Sequence, residues 1–282
     1  MLIFSLIFMS QSLSVSASET KLPRIVSLNM CADPYLMAFA DPTQILAITH
    51  LSRDPSLSAF HEIAQHLPIT DGRIESILRL APDIVITSPY SDPLRQDILK
   101  AHNISVIPLF ASQRYEQARR EIIKLGTAIG RDTAAKKYLA QLDAALDAAK
   151  AKHQNHKYNV RLLYLQRRGI TAGAGHILDD IITKAGAKNA AYDKTRKSLS
   201  HIRLEHIFTL KPDFLLLGTD KTGGRGNDIL IHPSLAKIYP AARRLYLPEK
   251  FTICAGASTP LAVEALQNEL EQKYTHTYPR YK

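Results

Sequence analysis

The sequence predicts an α/β protein of two similar lobes, each built on a parallel sheet, joined by one long helix. Three observations predict it. Short apolar runs alternate with helical periodicity over residues 24–109 and again over 160–274. Between them, residues 113–153 carry no strand signal, and 132–152 is rich in Ala, Leu and Lys. A phrase also recurs: ESILRLAPDIVI from Glu75 and EHIFTLKPDFLL from Glu205 share Glu, Ile, Leu, Pro and Asp at five of twelve positions, 130 residues apart. Strand–helix–strand alternation with short connections implies βαβ units and a parallel sheet.

RIVSL at 24–28 reads as the first strand, and Asp33-Pro34 opens a helix to residue 40. QILAIT at 44–49 is the next strand. Ile74, Ile77 and Leu78 share one helical face over 74–80, and Pro82 stops that helix. DIVIT at 83–87 is continuously apolar, as buried parallel strands are. A helix over 93–102 and the strand ISVIPL at 104–109 complete the first half. Gly130-Arg131-Asp132 then separates two helices. The second, 132–152, consists of strong helix formers and would run about 30 Å at 1.5 Å per residue. It fits a rigid connector between two halves, or one more cover on the first sheet. The second half repeats the rhythm: strand 160–165, helix 176–185 ending at Gly186, helix 204–210 stopped by Pro212, and strand 213–218. A partly helical stretch at 228–238, a strand at 243–247 and a last helix over 259–274 follow. The expected organisation is 18–112 for the first lobe, 113–157 for the helical segment and 158–282 for the second lobe.

Residues 1–17 stand apart: an apolar run over 2–9 precedes small polar residues and Val15-Ser16-Ala17. Eight apolar residues are too few to span a bilayer, which needs about 20. The stretch reads as a cleaved secretory signal peptide, although no Lys or Arg precedes Lys21; the alternative is a buried N-terminal segment. An exported protein is the consequence. The net charge is +10, which suits anionic ligands or an anionic partner surface, and suits a plain solvated surface equally well. Basic and aromatic residues interleave near Tyr278–Lys282, but export argues against nucleic acid as a partner. Cys31 and Cys254 are the only cysteines; an oxidising compartment favours their pairing, and free thiols remain the alternative.

No nucleophile elbow, P-loop or H-E-x-x-H motif is present. The eleven His form no close ligand cluster, so a zinc or manganese site would need His from both lobes to converge. The expectation is therefore a binding protein without catalytic residues, resident metal or cofactor. Open α/β sheets bind ligands beyond the carboxyl ends of their strands. That places Asn29, Met30, Cys31, His50, Arg53, Ser88 and Tyr90 in the first lobe. In the second it places Gln166, Arg167, Arg168, Thr219, Lys221, Cys254 and Gly256. From these the ligand-cleft candidates are Cys31, Arg53, Tyr90, Gln166, Arg168, Thr219, Cys254 and Gly256. A set rich in Arg and Tyr suits a bulky ligand with anionic edges. Glu75 and Glu205 each sit on a helix shoulder. Arg79 offers Glu75 an i, i+4 partner, whereas the corresponding position for Glu205 is Thr209. Two carboxylates at equivalent places point to paired docking contacts on one partner.

RIVSLNMCADPYLMAFADPTQILAIT, the two E-x-I-x-x-L-x-P-D phrases, GAGHILDDIITKAGAKN and the stretch before ALQNEL resemble one family. It is that of the periplasmic substrate-binding proteins of ABC importers for iron–siderophore complexes, haem and cobalamin. The resemblance runs from Arg24 to near the C-terminus. It implies two Rossmann-like lobes joined by a single backbone helix, a ligand cleft between them, and small closure motions. It implies a periplasmic monomer that delivers a metal-chelate complex to a permease dimer in the inner membrane. Glu75 and Glu205 would then meet Arg residues of that permease. A ferric siderophore or cobalamin is the expected cargo; haem, with Tyr90 as an axial ligand, and Zn or Mn are the alternatives. An exported enzyme on a similar scaffold is the competing class. A Cys31–Cys254 disulfide would staple the lobes.

Overall fold

A computed structural model describes residues 21–152, 159–192, 198–218, 226 and 228–277. The signal-peptide stretch, Thr219, Lys221 and the basic C-terminal residues 278–282 lie outside these.

The first lobe contains β1 (Ile25–Ser27), α1 (Asp33–Phe39), β2 (Ile45–Thr49), α2 (His61–Ala64), β3 (Ile69–Thr70) and α3 (Ile74–Leu80). It continues through β4 (Ile84–Thr87), α4 (Pro93–Ala101) and β5 (Ser105–Pro108). All neighbouring strands are parallel, in the order β3-β2-β1-β4-β5. Next come α5 (Tyr115–Ala128) and α6 (Asp132–Lys152). The second lobe holds β6 (Arg161–Tyr164), β7 (Ile170–Ala172), α7 (Ile177–Lys184), β8 (Lys188–Asn189), β9 (Leu199–His201) and α8 (Leu204–Leu210). It ends with β10 (Phe214–Leu217), α9 (Pro233–Ile238), β11 (Arg244–Tyr246) and α10 (Thr259–Thr277). Its main sheet is parallel, β11-β10-β6-β8, with a separate antiparallel ribbon of β7 and β9. The fold class is the one the sequence predicts: two parallel-sheet lobes with a long helix between them.

Side-chain alternation shows why the strands are apolar throughout. In β1, Ile25 enters the main core while its neighbour Val26 enters a second cluster with Ile77, Val85 and Leu99. In β6, Leu162 and Leu163 divide the same way. Successive residues point to opposite faces, and both faces are covered. The linker helix α6 presents Ala135, Leu139, Leu142, Leu146 and Ala149, spaced by four and three, as one buried stripe. That stripe joins Ile25 and Ile86 of the first lobe, Leu162 and Leu216 of the second, and Leu266 and Leu270 of α10 in a single cluster.

The repeated phrase has a structural cause at its Pro-Asp end. Pro82 and Pro212 disfavour a right-handed helical conformation in the residue before them. Both helices leave through a left-handed residue, Ala81 at φ 44° and Lys211 at φ 46°. Asp83 then accepts the backbone N–H of Arg24 at 2.6 Å, and the Arg24 guanidinium donates to the Leu80 and Ala81 carbonyls. Asp213 accepts the backbone N–H of Arg161 at 2.7 Å, and Arg161 donates to Leu210 O. In each lobe one Arg–Asp clamp therefore starts two adjacent strands and satisfies the orphan carbonyls of the helix before them.

Candidate ligand cleft

In both sheets the strand order reverses beside the first strand of the lobe, between β1 and β4 and between β6 and β10. Such switch points open a crevice beyond the carboxyl ends of the strands. In the first lobe Asn29 builds its edge. Its amide nitrogen donates to Thr87 O and Leu109 O, and its Oδ1 accepts the Cys31 N–H. One buried side chain thus binds the ends of β1, β4 and β5 together. Tyr90 follows on a turn whose N–H bonds to Ser88 Oγ, and is 88% exposed. Phe110, after β5, is also exposed.

In the second lobe, Gln166 donates to Glu249 Oε1 at 3.1 Å. Arg167 and Arg168 are exposed. Arg168 holds φ 59°, an uncommon left-handed conformation for a residue other than glycine. Its N–H bonds to Gly226 O and its carbonyl pairs with the His201 ring, which fix the strained turn. The first-lobe side is accordingly apolar and aromatic, with Met30, Phe60, Tyr90 and Phe110, while the second-lobe side carries Arg167, Arg168 and Lys250. A narrow pocket of about 20 Å³ lies at the junction, lined by Met30, Tyr35 and Phe60 from the first lobe and by Lys250, Ile253 and Ser258.

Cys31 and Cys254, for which the sequence leaves both thiols and a disulfide open, are bonded, with Cα atoms 5.5 Å apart. Gly256 lies deeper. Its φ is +106°, and a Cβ there would stand 2.1 Å from Tyr35 Oη. Arg53 turns away from the second lobe: its guanidinium donates to the Ala64 and Leu67 carbonyls, closing the end of α2. Thr219 lies outside the described residues. The structure thus brings Cys31 and Cys254 together at the pocket and joins Gln166 to the segment after β11. Arg53 and Gly256 are committed to packing.

Asp33 reads in the sequence only as a helix opener, yet it is fully buried at the start of α1. Its Oδ2 accepts Ser52 Oγ at 2.6 Å and the Thr49 N–H at 3.1 Å. Oδ1 has no partner. Burial pushes its pKa up to about 7, against the nearby Ser27 hydroxyl and these hydrogen bonds. Through Thr49 and Ser52 it fixes the turn after β2 that leads to Phe60. An Asp before Pro is ordinary at a helix start, so no local signal distinguishes it. Glu75 and Glu205 are exposed, and among the described residues neither carboxylate has a partner; Arg79 donates to Ser76 instead. No group of three or more His, Cys, Asp or Glu able to hold a metal ion exists among the described residues, nor any helix long and apolar enough to cross a membrane.

The family described as "Periplasmic binding protein" matches residues 25–246, most of the chain and both switch points. The chain belongs to that family. No curated protein sequence matches it. Among solved structures, this periplasmic binding protein is similar to the periplasmic heme-binding protein RhuT from Roseiflexus sp. RS-1, at 24% identity and a TM-score of 0.72, covering 89% of this chain and 98% of that one. It is similar to the periplasmic heme-binding protein HutB of Vibrio cholerae at 21% identity and 0.70, covering 91% and 99%. It is also similar to the vitamin B12-binding protein BtuF of Vibrio cholerae at 18% and 0.64, covering 90% and 98%. At these identities the likeness establishes a shared two-lobed fold.

Proposed function

We propose that this periplasmic binding protein is the solute-binding component of an ABC importer and that its cargo is a metal-chelate complex: a ferric siderophore or cobalamin. The observation that carries the reading is the pair of switch points, one edged by exposed aromatic side chains and the other by Arg167 and Arg168. A large, partly flat ligand with anionic edges matches both sides: aromatic faces stack on the first, and guanidinium groups pair with acid groups on the second. The solved neighbours named for haem and vitamin B12 support this class of cargo. Haem is the second reading, favoured by Tyr90, whose exposed phenol at the end of β4 is free to ligate a ferric iron.

Titration of the protein with a ferric hydroxamate, a ferric catecholate, cobalamin, hemin, Zn²⁺ and Mn²⁺, read by melting temperature and visible absorbance, tests it. At a free concentration of 100 Kd, a ligand specific for the folded state adds about 2.7 kcal/mol. That corresponds to a rise of roughly 5–10 °C for a chain of this size. A saturable shift with one chelate is the expected result. A shift with bare metal ions alone, or with nothing in the panel, overturns the reading.

Glu75 and Glu205 are the proposed contacts to the two halves of the permease. Reversal of both charges, Glu75→Lys with Glu205→Lys, should reduce transport by at least ~10-fold, because like charges facing across an interface repel. Ligand affinity should stay unchanged. A parallel loss of affinity would place these carboxylates in binding rather than docking.

A further inference from the structure

Residues 247–258, between β11 and α10, leave the second lobe and lie against the first. Their directed contacts with the first lobe change character at residue 254. Beyond it, Ala255 N–H donates to Ser112 O at 3.3 Å, and Ala255 O accepts Tyr35 Oη at 3.0 Å. Before it, the hydrogen bonds stay local or reach the second lobe. Phe251 N–H donates to Pro248 O, Thr252 N–H donates to Glu249 O, and Glu249 accepts from Gln166. Among the described residues, the disulfide to Cys31 is the one directed bond that ties this half of the segment to the first lobe. Yet this half carries Lys250 and Ile253, which wall the pocket.

We propose that Cys31 and Cys254 are positioning residues for ligand binding: their disulfide holds residues 249–254 as a wall of the cleft, and reducing it frees that wall. The significance of the wall rests on the solute-binding function, but the bond's mechanical role does not. The chemistry balances with a dithiol as reductant. One thiolate attacks Sγ of Cys254, the less buried of the pair. The S–S bond breaks and Cys31 leaves as a thiolate that takes up a proton. The second thiol of the reductant then displaces Cys254 and closes its own disulfide, so the dithiol is oxidised by two electrons and the protein gains two thiols.

Amide hydrogen exchange on the full chain tests this without any ligand, so its outcome is separate from that of the cargo titration. The oxidised protein, the same protein in dithiothreitol, and Cys31→Ser/Cys254→Ser with and without dithiothreitol are compared. Reduction should speed exchange at Phe251 and Thr252 by ~10-fold or more, because local opening there is no longer restrained by a covalent tie. That exchange should be insensitive to low urea, as local opening is, whereas β4 and β10, which exchange through global unfolding, should speed up with urea and by the global loss of stability. The double variant should show the fast pattern already and not respond to dithiothreitol. Unchanged exchange at Phe251 and Thr252 overturns the proposal. So does exchange at Phe251 and Thr252 that rises with urea as steeply as that of β4 and β10, which would mean that these amides open only when the whole protein unfolds. If the double variant fails to fold, the native chain in dithiothreitol decides alone.

Discussion

Gly256→Ala should destabilise the protein by about 3–5 kcal/mol, seen as a fall in melting temperature of roughly 10 °C. Two costs add. At φ +106° any Cβ strains the backbone, and this one would lie 2.1 Å from Tyr35 Oη and 3.0 Å from Ala118 Cβ. Tyr35 cannot step aside: it is 2% exposed, and its hydroxyl donates to Ala255 O in the same segment. Gly72→Ala is the control, since Gly72 also has positive φ but nothing within 4 Å of where its methyl group would stand. It should lose only about 1 kcal/mol. Adding Tyr35→Phe to Gly256→Ala should recover part of the loss by removing the clashing oxygen. A Gly256→Ala protein that melts with the native one would show that the segment has room the packing denies.

Asp33→Asn should stabilise the protein at pH 8 and do so less and less as pH falls to 4. The folded state raises this carboxyl from 3.8 to about 7, so it retains a proton that the unfolded chain has released. Folding stability therefore drops as pH climbs from about 4 to 7 and stays low above that. A neutral Asn removes the dependence while its side-chain oxygen can still accept from Ser52 and Thr49. The ceiling on the gain is about 4 kcal/mol, at 1.36 kcal/mol per pKa unit. Exchanging the orphan oxygen for an amide that needs an acceptor reduces the expected gain to about 1–2 kcal/mol. Chemical denaturation of both proteins at pH 5 and 8 checks this. A difference that does not change with pH, or a variant weaker at pH 8 than at pH 5 relative to native, would mean that Asp33 is not a buried carboxylic acid.

The legible parts of the chain were those where local and tertiary forces agree. Residues 74–80 and 204–210 show helical spacing and end at a Pro, and α3 and α8 occupy those same residues. The Ala-rich stretch became α6 over the residues expected, because helix formers fill it and Gly130 precedes it. β8 and the β7–β9 ribbon went unread, since strands of two or three residues are too short to show a period. In the site, position was legible and direction was not. Arg53 stands after β2 as its place in the chain dictates, but the unsatisfied carbonyls at the end of α2 decide where its guanidinium points. Asn29 and Cys31 were legible as strand-end residues. The segment that meets them, 247–258, has no regular pattern, and its course is set by Tyr35 and Ser112, more than a hundred residues away in the chain.

The disulfide closes a ring over a sequence separation of 223, so in the chain-entropy picture it disfavours the unfolded state by about 5 kcal/mol. Because the sequence has two cysteines, a single chain has only one way to pair them, and no isomerase is needed to sort right partners from wrong ones. Cys31 nevertheless has to wait until its partner, 223 positions further along the chain, has reached the oxidising compartment. During that interval its available mispairing is with another molecule, so crowding where the thiols oxidise, rather than scrambling within the chain, is the hazard this architecture carries.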